Sequence, residues 1–307
     1  MASRPFLDHS TDSATEIPIP NTSQRRVFTM ANLTGKVALI TGAGGKHGVG
    51  RAIALKLGEQ GASVIVNDIV SQPYPDRSAE WEGLPQVVRE LCALGTGGIA
   101  AVADITDAAQ VQELVDKGVE EFGQIDILVA NAGSRPGKDR LPVVDLDEEA
   151  WDLVQKTNVK GTFLCCRAVA RHMVERDEGG KIIIISSVAG KMGIPRYAAY
   201  CASKFALIGL TQSLAHELAP NRINVNAICP GLVDTERVAH MAAALTDPGE
   251  TPEDRRTRMI GETASTTPLG RVAQGADIAD VASFLASGES DYLTGISISV
   301  SGGMWMG

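Results

Sequence analysis

Tyr200 and Lys204 stand four residues apart in YAAYCASKFALIGL, residues 197–210, a stretch with helical spacing. Positions i and i+4 share a helix face, so phenol and ammonium are neighbours. A free tyrosine, with a pKa near ~10, is a poor base at neutral pH. An adjacent ammonium favours the phenolate and lowers that pKa. Such a pair suits proton exchange with an alcohol or ketone oxygen, with Tyr200 as general acid/base. The plainer alternative for two polar residues on a helix is an exposed surface pair.

A second constellation precedes it. TGAGGKHGVGRA, residues 41–52, lies between an apolar run and a helical stretch. Glycines at a strand-to-helix turn let the backbone approach a pyrophosphate, which then rests on the helix N-terminus. The spacing G-x-G-x-x-G is not met, because His47 and Ile53 fall on the third glycine positions. The turn nominates Gly42, His47, Gly48 and Val49 as cofactor contacts. Asp68 ends the next strand pattern, 18 residues after Gly50. An acid there accepts both hydroxyls of an adenosine ribose and repels a 2′-phosphate, which favours NAD over NADP. Lys46, His47 and Arg51 pull the other way, as cations able to hold that phosphate.

The elements that must position these groups follow one rhythm. Short apolar runs begin near residues 36, 63, 98, 125, 181, 222 and 295, alternating with helical patterns. Near-continuous apolar strands are expected where both sheet faces are covered. The reading is therefore an α/β protein: a single-domain Rossmann fold, a seven-stranded parallel, doubly wound sheet with helices on both faces. The domain spans residues 33–307. Two segments break the rhythm, an insertion at Val70–Pro85 and a long excursion read as a lid at about 235–270; long excursions in compact domains are often functional.

Composition excludes several classes. Of 307 residues, 44% are apolar, enough for a sizeable core, and the net charge of −9 with no long basic run argues against nucleic acid. No stretch approaches the roughly 20 apolar residues of a membrane span. Five cysteines without a C-x-x-C pair read as free thiols in a reducing, cytoplasmic setting. The histidines are scattered, so no metal site is expected. Residues 1–32 are polar, lack an apolar signal core and carry Asp8, Asp12 and Glu16; they read as a disordered extension.

Seven motifs in order resemble the short-chain dehydrogenase/reductase family over Leu33–Gly303: the turn Thr41–Gly50, Asn131–Gly133, Asn158–Gly161, Ser187, Tyr200 with Lys204, Pro230–Gly231 and a terminal SGG. The chain departs from the pattern in placing five residues, not three, between the first two glycines of the turn, and in Ser301 where members often carry Asp. The resemblance implies hydride transfer between a nicotinamide and a secondary alcohol or ketone. It makes Ser187 the donor to the substrate oxygen, has Lys204 also bind the nicotinamide ribose, and gives Asn158 a water that links Lys204 to solvent. It assigns Asp104 and Ile105 to the adenine, Asn131, Ala132 and Gly133 to the ribose, and Pro230, Gly231, Val233 and Thr235 to the nicotinamide amide. For Asn131 a role in stabilising the sheet stands beside the ribose contact.

The substrate pocket is expected near Ser134, Arg135, residues 188–192, Tyr197 and the lid. Arg135, Lys138, Lys191 and Arg196 either ring its mouth and favour an anionic group or are simply solvated. Alternatives kept open are an NADPH-dependent ketone or 3-oxoacyl reductase, and an enzyme whose insertion holds NAD tightly while another carrier accepts the electrons. A non-enzymatic NAD sensor is disfavoured by the complete Asn158, Ser187, Tyr200 and Lys204 set. The resemblance further implies a homotetramer or dimer formed through the helical stretches at 161–174 and 205–218, with the terminal MWMG crossing a subunit boundary.

Overall fold

A computed structural model describes residues 32–74 and 80–307. The extension expected to be disordered thus lies outside the described residues except for Asn32, as does the middle of the insertion. Seven strands form one parallel sheet in the order β3-β2-β1-β4-β5-β6-β7: β1 Val37–Thr41, β2 Ser63–Asp68, β3 Gly98–Val102, β4 Ile127–Ala130, β5 Gly180–Ile185, β6 Ile223–Pro230 and β7 Ser297–Val300. The seven expected strands are all present, and the fold is the doubly wound Rossmann type.

Strand residues alternate between two cores, as a period of two demands. Leu39, Ile65, Leu128, Ile182 and Ile184 pack with Leu114 of helix α3 (Ala108–Phe122), Val169 of α5 (Thr162–Arg176) and Leu207 of α6 (Ala198–Leu218). Ala38, Ile40, Val64, Val129 and Ile183 face the other way. They meet Ile53 and Leu57 of α1 (Val49–Glu59), Leu91 of α2 (Leu84–Ala93) and Ile278 of α9 (Gly275–Ala286). Both faces are dry, which is why the strands read as unbroken apolar runs.

Helix α4 (Glu148–Gln155) runs into α5 through a wider, π-helical stretch, Lys156–Gly161. Such widened turns frequently mark functional sites. The lid is two helices, α7 (Glu236–Leu245) and α8 (Pro252–Thr266). None of the described helices is long and apolar enough to cross a membrane.

Candidate active site

The chain leaves β1 toward β2 on one side and reaches β4 on the other, so the sheet has its switch point between β1 and β4. Ligands of open α/β sheets bind outside the carboxyl ends of the strands at such a point. Thr41 Oγ1 accepts the N–H groups of Asn131 and Ala132, both at 3.1 Å. Asn131 Nδ2 donates in turn to the carbonyls of Thr41 and Gly42, each at 2.9 Å. The Asn131 amide therefore stitches the two strand ends together. Of its two sequence readings, the structural one describes its side chain; the residue still lines the cleft.

The glycines of the turn have steric causes. Gly42 has φ +69°, and a Cβ there would stand 2.8 Å from Ala132 Cα. A Cβ on Gly50 would stand 2.5 Å from the Gly42 carbonyl oxygen. The two extra residues of the turn find partners outside it. The N–H of His47 donates to Glu236 Oε1 at 2.7 Å, and the indole of Trp81, in the insertion, donates to the Gly44 carbonyl at 2.8 Å.

A cavity of ≈ 750 Å³ runs along the strand ends. Gly42, Gly48, Val49, Asp68, Asp104 and Ile105 line it on the β1–β3 side. Asn131, Ala132 and Gly133 lie at the switch point, and Ser187, Tyr200, Lys204, Pro230, Gly231, Val233 and Thr235 line the β5–β6 side. Two residues expected at the site do not line it. The His47 side chain is exposed and only its N–H is engaged. Asn158 is fully buried behind the wall.

Asn158 sits in the π-helical stretch. Its Oδ1 accepts the N–H of Ser134 at 2.8 Å, and its Nδ2 donates to Ser203 Oγ at 2.9 Å. Ser203 donates to the Tyr200 carbonyl at 2.7 Å. The Asn158 side chain thus braces the Tyr200 turn and the loop after β4. Ser203 was missed by sequence reasoning; a small polar residue on the buried side of the α6 pattern was its signal. Ser186 and Ser187 separate cleanly. Ser186 donates to the Lys204 carbonyl at 2.9 Å, whereas Ser187 Oγ accepts the N–H of Ala189 at 3.1 Å and lies on the Tyr200 side, where it helps to lower the phenol. That division favours Ser187 as the hydroxyl facing the cleft.

Lys204 is 5% exposed, with Nζ 5.6 Å from the Tyr200 ring centroid and donating to the Ile185 carbonyl at 2.9 Å. Burial pushes the Tyr200 phenol up. The ammonium of Lys204, then Arg237, the Ser187 hydrogen bond and Arg140 outweigh it, so the net direction is down. Burial lowers Lys204, with Tyr200 acting against that. Neither Arg140 nor Arg237 stood out in the sequence.

At the far end, Asp68 accepts the N–H of Gly44 at 3.0 Å and of Ile69 at 2.9 Å. Burial raises its carboxyl, and these two N–H groups and Arg135 oppose the rise. Arg51 points elsewhere: it is bidentate to Glu90 at 2.8 and 2.9 Å and lies over the Trp81 ring. Lys46 is exposed and absent from the cleft wall.

The cations proposed for the mouth are occupied too. Lys191 donates to the main-chain oxygens of Ser297 and Gly307, both at 2.8 Å, so the terminal MWMG segment is fastened to its own chain. Arg196 donates to the Arg140 carbonyl. Arg135 donates to the Pro73 carbonyl and stacks on Tyr74, joining the insertion to the loop after β4. Lys138 lines a separate, wider depression of ≈ 1070 Å³ on the outer side of α4, which holds none of the catalytic set. In the lid, Val238 and Met241 line the cleft, while Ala242 and Leu245 are buried as ordinary packing. Arg237 Nη1 donates to the carbonyls of Gly133 and Ser134, at 3.2 and 2.7 Å.

This geometry agrees with what the chain is similar to. A family model described as enoyl-(acyl carrier protein) reductase matches residues 42–305. The 3-oxoacyl-(acyl-carrier-protein) reductase FabG of Staphylococcus aureus is 40% identical, over 88% of this chain and 98% of that protein. A sorbitol dehydrogenase of Cereibacter sphaeroides is 37% identical, over 89% and 99%. Among solved structures, carveol dehydrogenase from Mycobacterium avium in complex with NAD matches with a TM-score of 0.78 and 31% identity, over 89% of this chain and 99% of that one. The chain is an oxidoreductase that belongs to the short-chain dehydrogenase/reductase family.

Proposed function

We propose that this enzyme interconverts a secondary alcohol and a ketone with NAD as its hydride carrier. The observation that carries the reading is the convergence of Ser187, Tyr200 and Lys204 on one side of the cleft, with Asp68 on the other. A bound nicotinamide supplies the hydride acceptor or donor. The chain supplies the rest. Ser187 donates a hydrogen bond to the substrate oxygen, which strengthens as charge develops there. Tyr200 takes the hydroxyl proton during oxidation and returns it during reduction. Lys204 holds the phenolate form accessible and is near enough to the cleft to bind a ribose hydroxyl. Asn158 and Ser203 fix the helix turn that carries Tyr200.

The cleft fits a dinucleotide. The turn is free of Cβ atoms at Gly42 and Gly48, the wall is continuous from Asp68 to Tyr200, and Asp68 lines it at the end of β2, where an acid would repel a 2′-phosphate. Arg51, the strongest candidate to hold that phosphate, is paired with Glu90. Both points favour NAD. The substrate is a small molecule held between Tyr197, Met241 and Ile194. Exposed Phe163 and Phe205, on α5 and α6, supply the apolar surface for assembly of the chain into a dimer or tetramer.

The test follows reduced nicotinamide by absorbance with NAD⁺ and NADP⁺ against aliphatic, cyclic, aryl and steroidal secondary alcohols. Turnover with NAD⁺ is expected, rising with pH through an ionisation below the free phenol's value of ~10. Tyr200→Phe should lower it by a factor of about 10² to 10⁴. Turnover that survives in Tyr200→Phe would sink the assignment, and faster turnover with NADP⁺ would overturn the reading of Asp68.

A second reading has its own observation. Pro73 and Tyr74, from the insertion, line the cleft beside Asp68, and Arg135 clasps them from the other side. A strap there slows cofactor exchange and suits an enzyme that keeps NAD and passes electrons to another carrier. Purified protein free of NAD, exchanging it rapidly, would exclude this.

A further inference from the structure

Arg140 is the largest of the fully buried side chains among the described residues and is 2% exposed. It sits on the loop after β4, in a sequence, GKDR, that reads as solvated. Its Nη1 is paired with Asp139, itself buried, and its Nε finds no hydrogen-bond partner among the described residues. Its guanidinium carbon lies 4.2 Å from the Tyr197 ring centroid and 4.9 Å from that of Tyr200. A buried ion pair is a poor source of stability, because desolvation offsets most of the attraction. The structure therefore calls for another reason to bury a cation against the acid/base.

We infer that Arg140 is a positioning residue that, beside Lys204, stabilises the ionised form of Tyr200 and so sets the pH range in which the enzyme takes a proton. The inference rests on the reading of Tyr200 as the acid/base. Its physical basis is a difference between two states. A guanidinium over a neutral phenol ring gains only the attraction of the ring's quadrupole. Over a phenolate it gains a full charge–charge attraction in a site shielded from water. Only the excess in the ionised state lowers the pKa.

The charges around the group are few. Lys204 faces Tyr200 from the same helix, Arg237 from α7, Arg140 from the β4 loop, and Ser187 adds a hydrogen bond from the end of β5. Arg140 itself faces Asp139, Tyr197 and Tyr200, and its carbonyl accepts from Arg196. Arg255 faces Tyr197 from α8. Lys204 shares α6 with Tyr200, whereas Arg140 reaches the ring from a separate loop, so its charge can be changed without altering the sequence of the helix.

The experiment needs no substrate. Tyrosinate absorbance is titrated on the full chain, which has four tyrosines, and the Tyr200→Phe titration is subtracted to isolate Tyr200. Arg140→Met should move the Tyr200 ionisation up by about one pH unit. Arg140→Lys keeps the charge and should stay close to the unmodified protein. Asp139→Asn removes the opposing charge and should move the ionisation down. In turnover assays, Arg140→Met should then be about tenfold slower one pH unit below the ionisation and recover in alkali, with KM little changed.

A correctly folded Arg140→Met that titrates like the unmodified protein overturns the inference. So does an Arg140→Lys that moves as far as Arg140→Met, or a loss confined to KM, which would make Arg140 a substrate contact. If Arg140→Met does not fold, Asp139→Asn decides: a downward move supports the inference and no move overturns it. A titration that moves while the turnover profile stays fixed would count against Tyr200 as the acid/base and leave the Arg140 charge effect standing.

Discussion

The floor of the cleft and its lid are built from different physics. On the floor, polar side chains are buried or half-buried and bonded more than once: half-buried Asn131 to two carbonyls, Asn158 to Ser134 and Ser203, Thr41 Oγ1 to two N–H groups. In the lid, α8 has no buried residue, and it is held largely by ion pairs such as Arg256–Asp234, Arg255–Asp247 and Arg258–Glu250. A bonded polar group that is buried is expensive to strand, whereas exposed ion pairs contribute little. The difference teaches that the site's geometry resides in the sheet and α6, and that α8, unlike the buried α7, is the part of the lid that can move at little cost to the fold.

Three variants would break or sharpen this contrast. Gly50→Ala should have the largest effect, because its Cβ would meet the Gly42 carbonyl and the Asn131 amide at 2.5 and 2.7 Å. A loss of at least about 3 kcal/mol is expected in denaturant unfolding, with cofactor binding lost. A variant of native stability would show that the turn yields and the floor is softer than described.

Asn158→Ala comes next. It strands the Ser134 N–H and frees Ser203, so a loss of about 2–3 kcal/mol is expected, together with at least a tenfold fall in kcat. Loss of stability alone, with kcat intact, would reduce Asn158 to a brace with no bearing on Tyr200. Arg256→Ala should be smallest in stability, lowering Tm by no more than about 2 °C, while raising KM severalfold. A large drop in Tm would mean that the lid is part of the core after all.

Much of the floor was legible in the sequence because its causes are local. The seven strands announce themselves as apolar runs, the glycines as a turn that tolerates no Cβ, and Tyr200 with Lys204 as a helix pair. What stayed hidden depends on chain segments far apart. Arg140 looks like loop polarity until Tyr197 and Tyr200 fold over it. Glu236 lies 189 residues beyond its partner His47. The π-helical stretch at Lys156–Gly161 has no punctuation in sequence, since KTNVKG suits an ordinary helix equally well. His47 was misplaced for the same reason: the two extra residues of the turn carry its side chain outward, and only its N–H remains engaged, with Glu236. Of the cations expected at the mouth, Arg135 does line the cleft, while Lys191 and Arg196 found carbonyls and Lys138 a neighbouring wall that spacing alone does not reveal.

The stitching of Thr41 to Asn131 has a consequence for how such an enzyme can change over time. Because the strand ends are tied by a threonine hydroxyl and an asparagine amide, and the lid bonds to the floor through Glu236 and Arg237 at the start of α7, the cleft keeps its catalytic geometry while α8 and the rest of the lid vary. Substitutions can accumulate above the floor one at a time, each altering which molecule is admitted and none dismantling the machinery that acts on it. A lineage with this division of labour is free to exchange substrates quickly while its reaction stays the same.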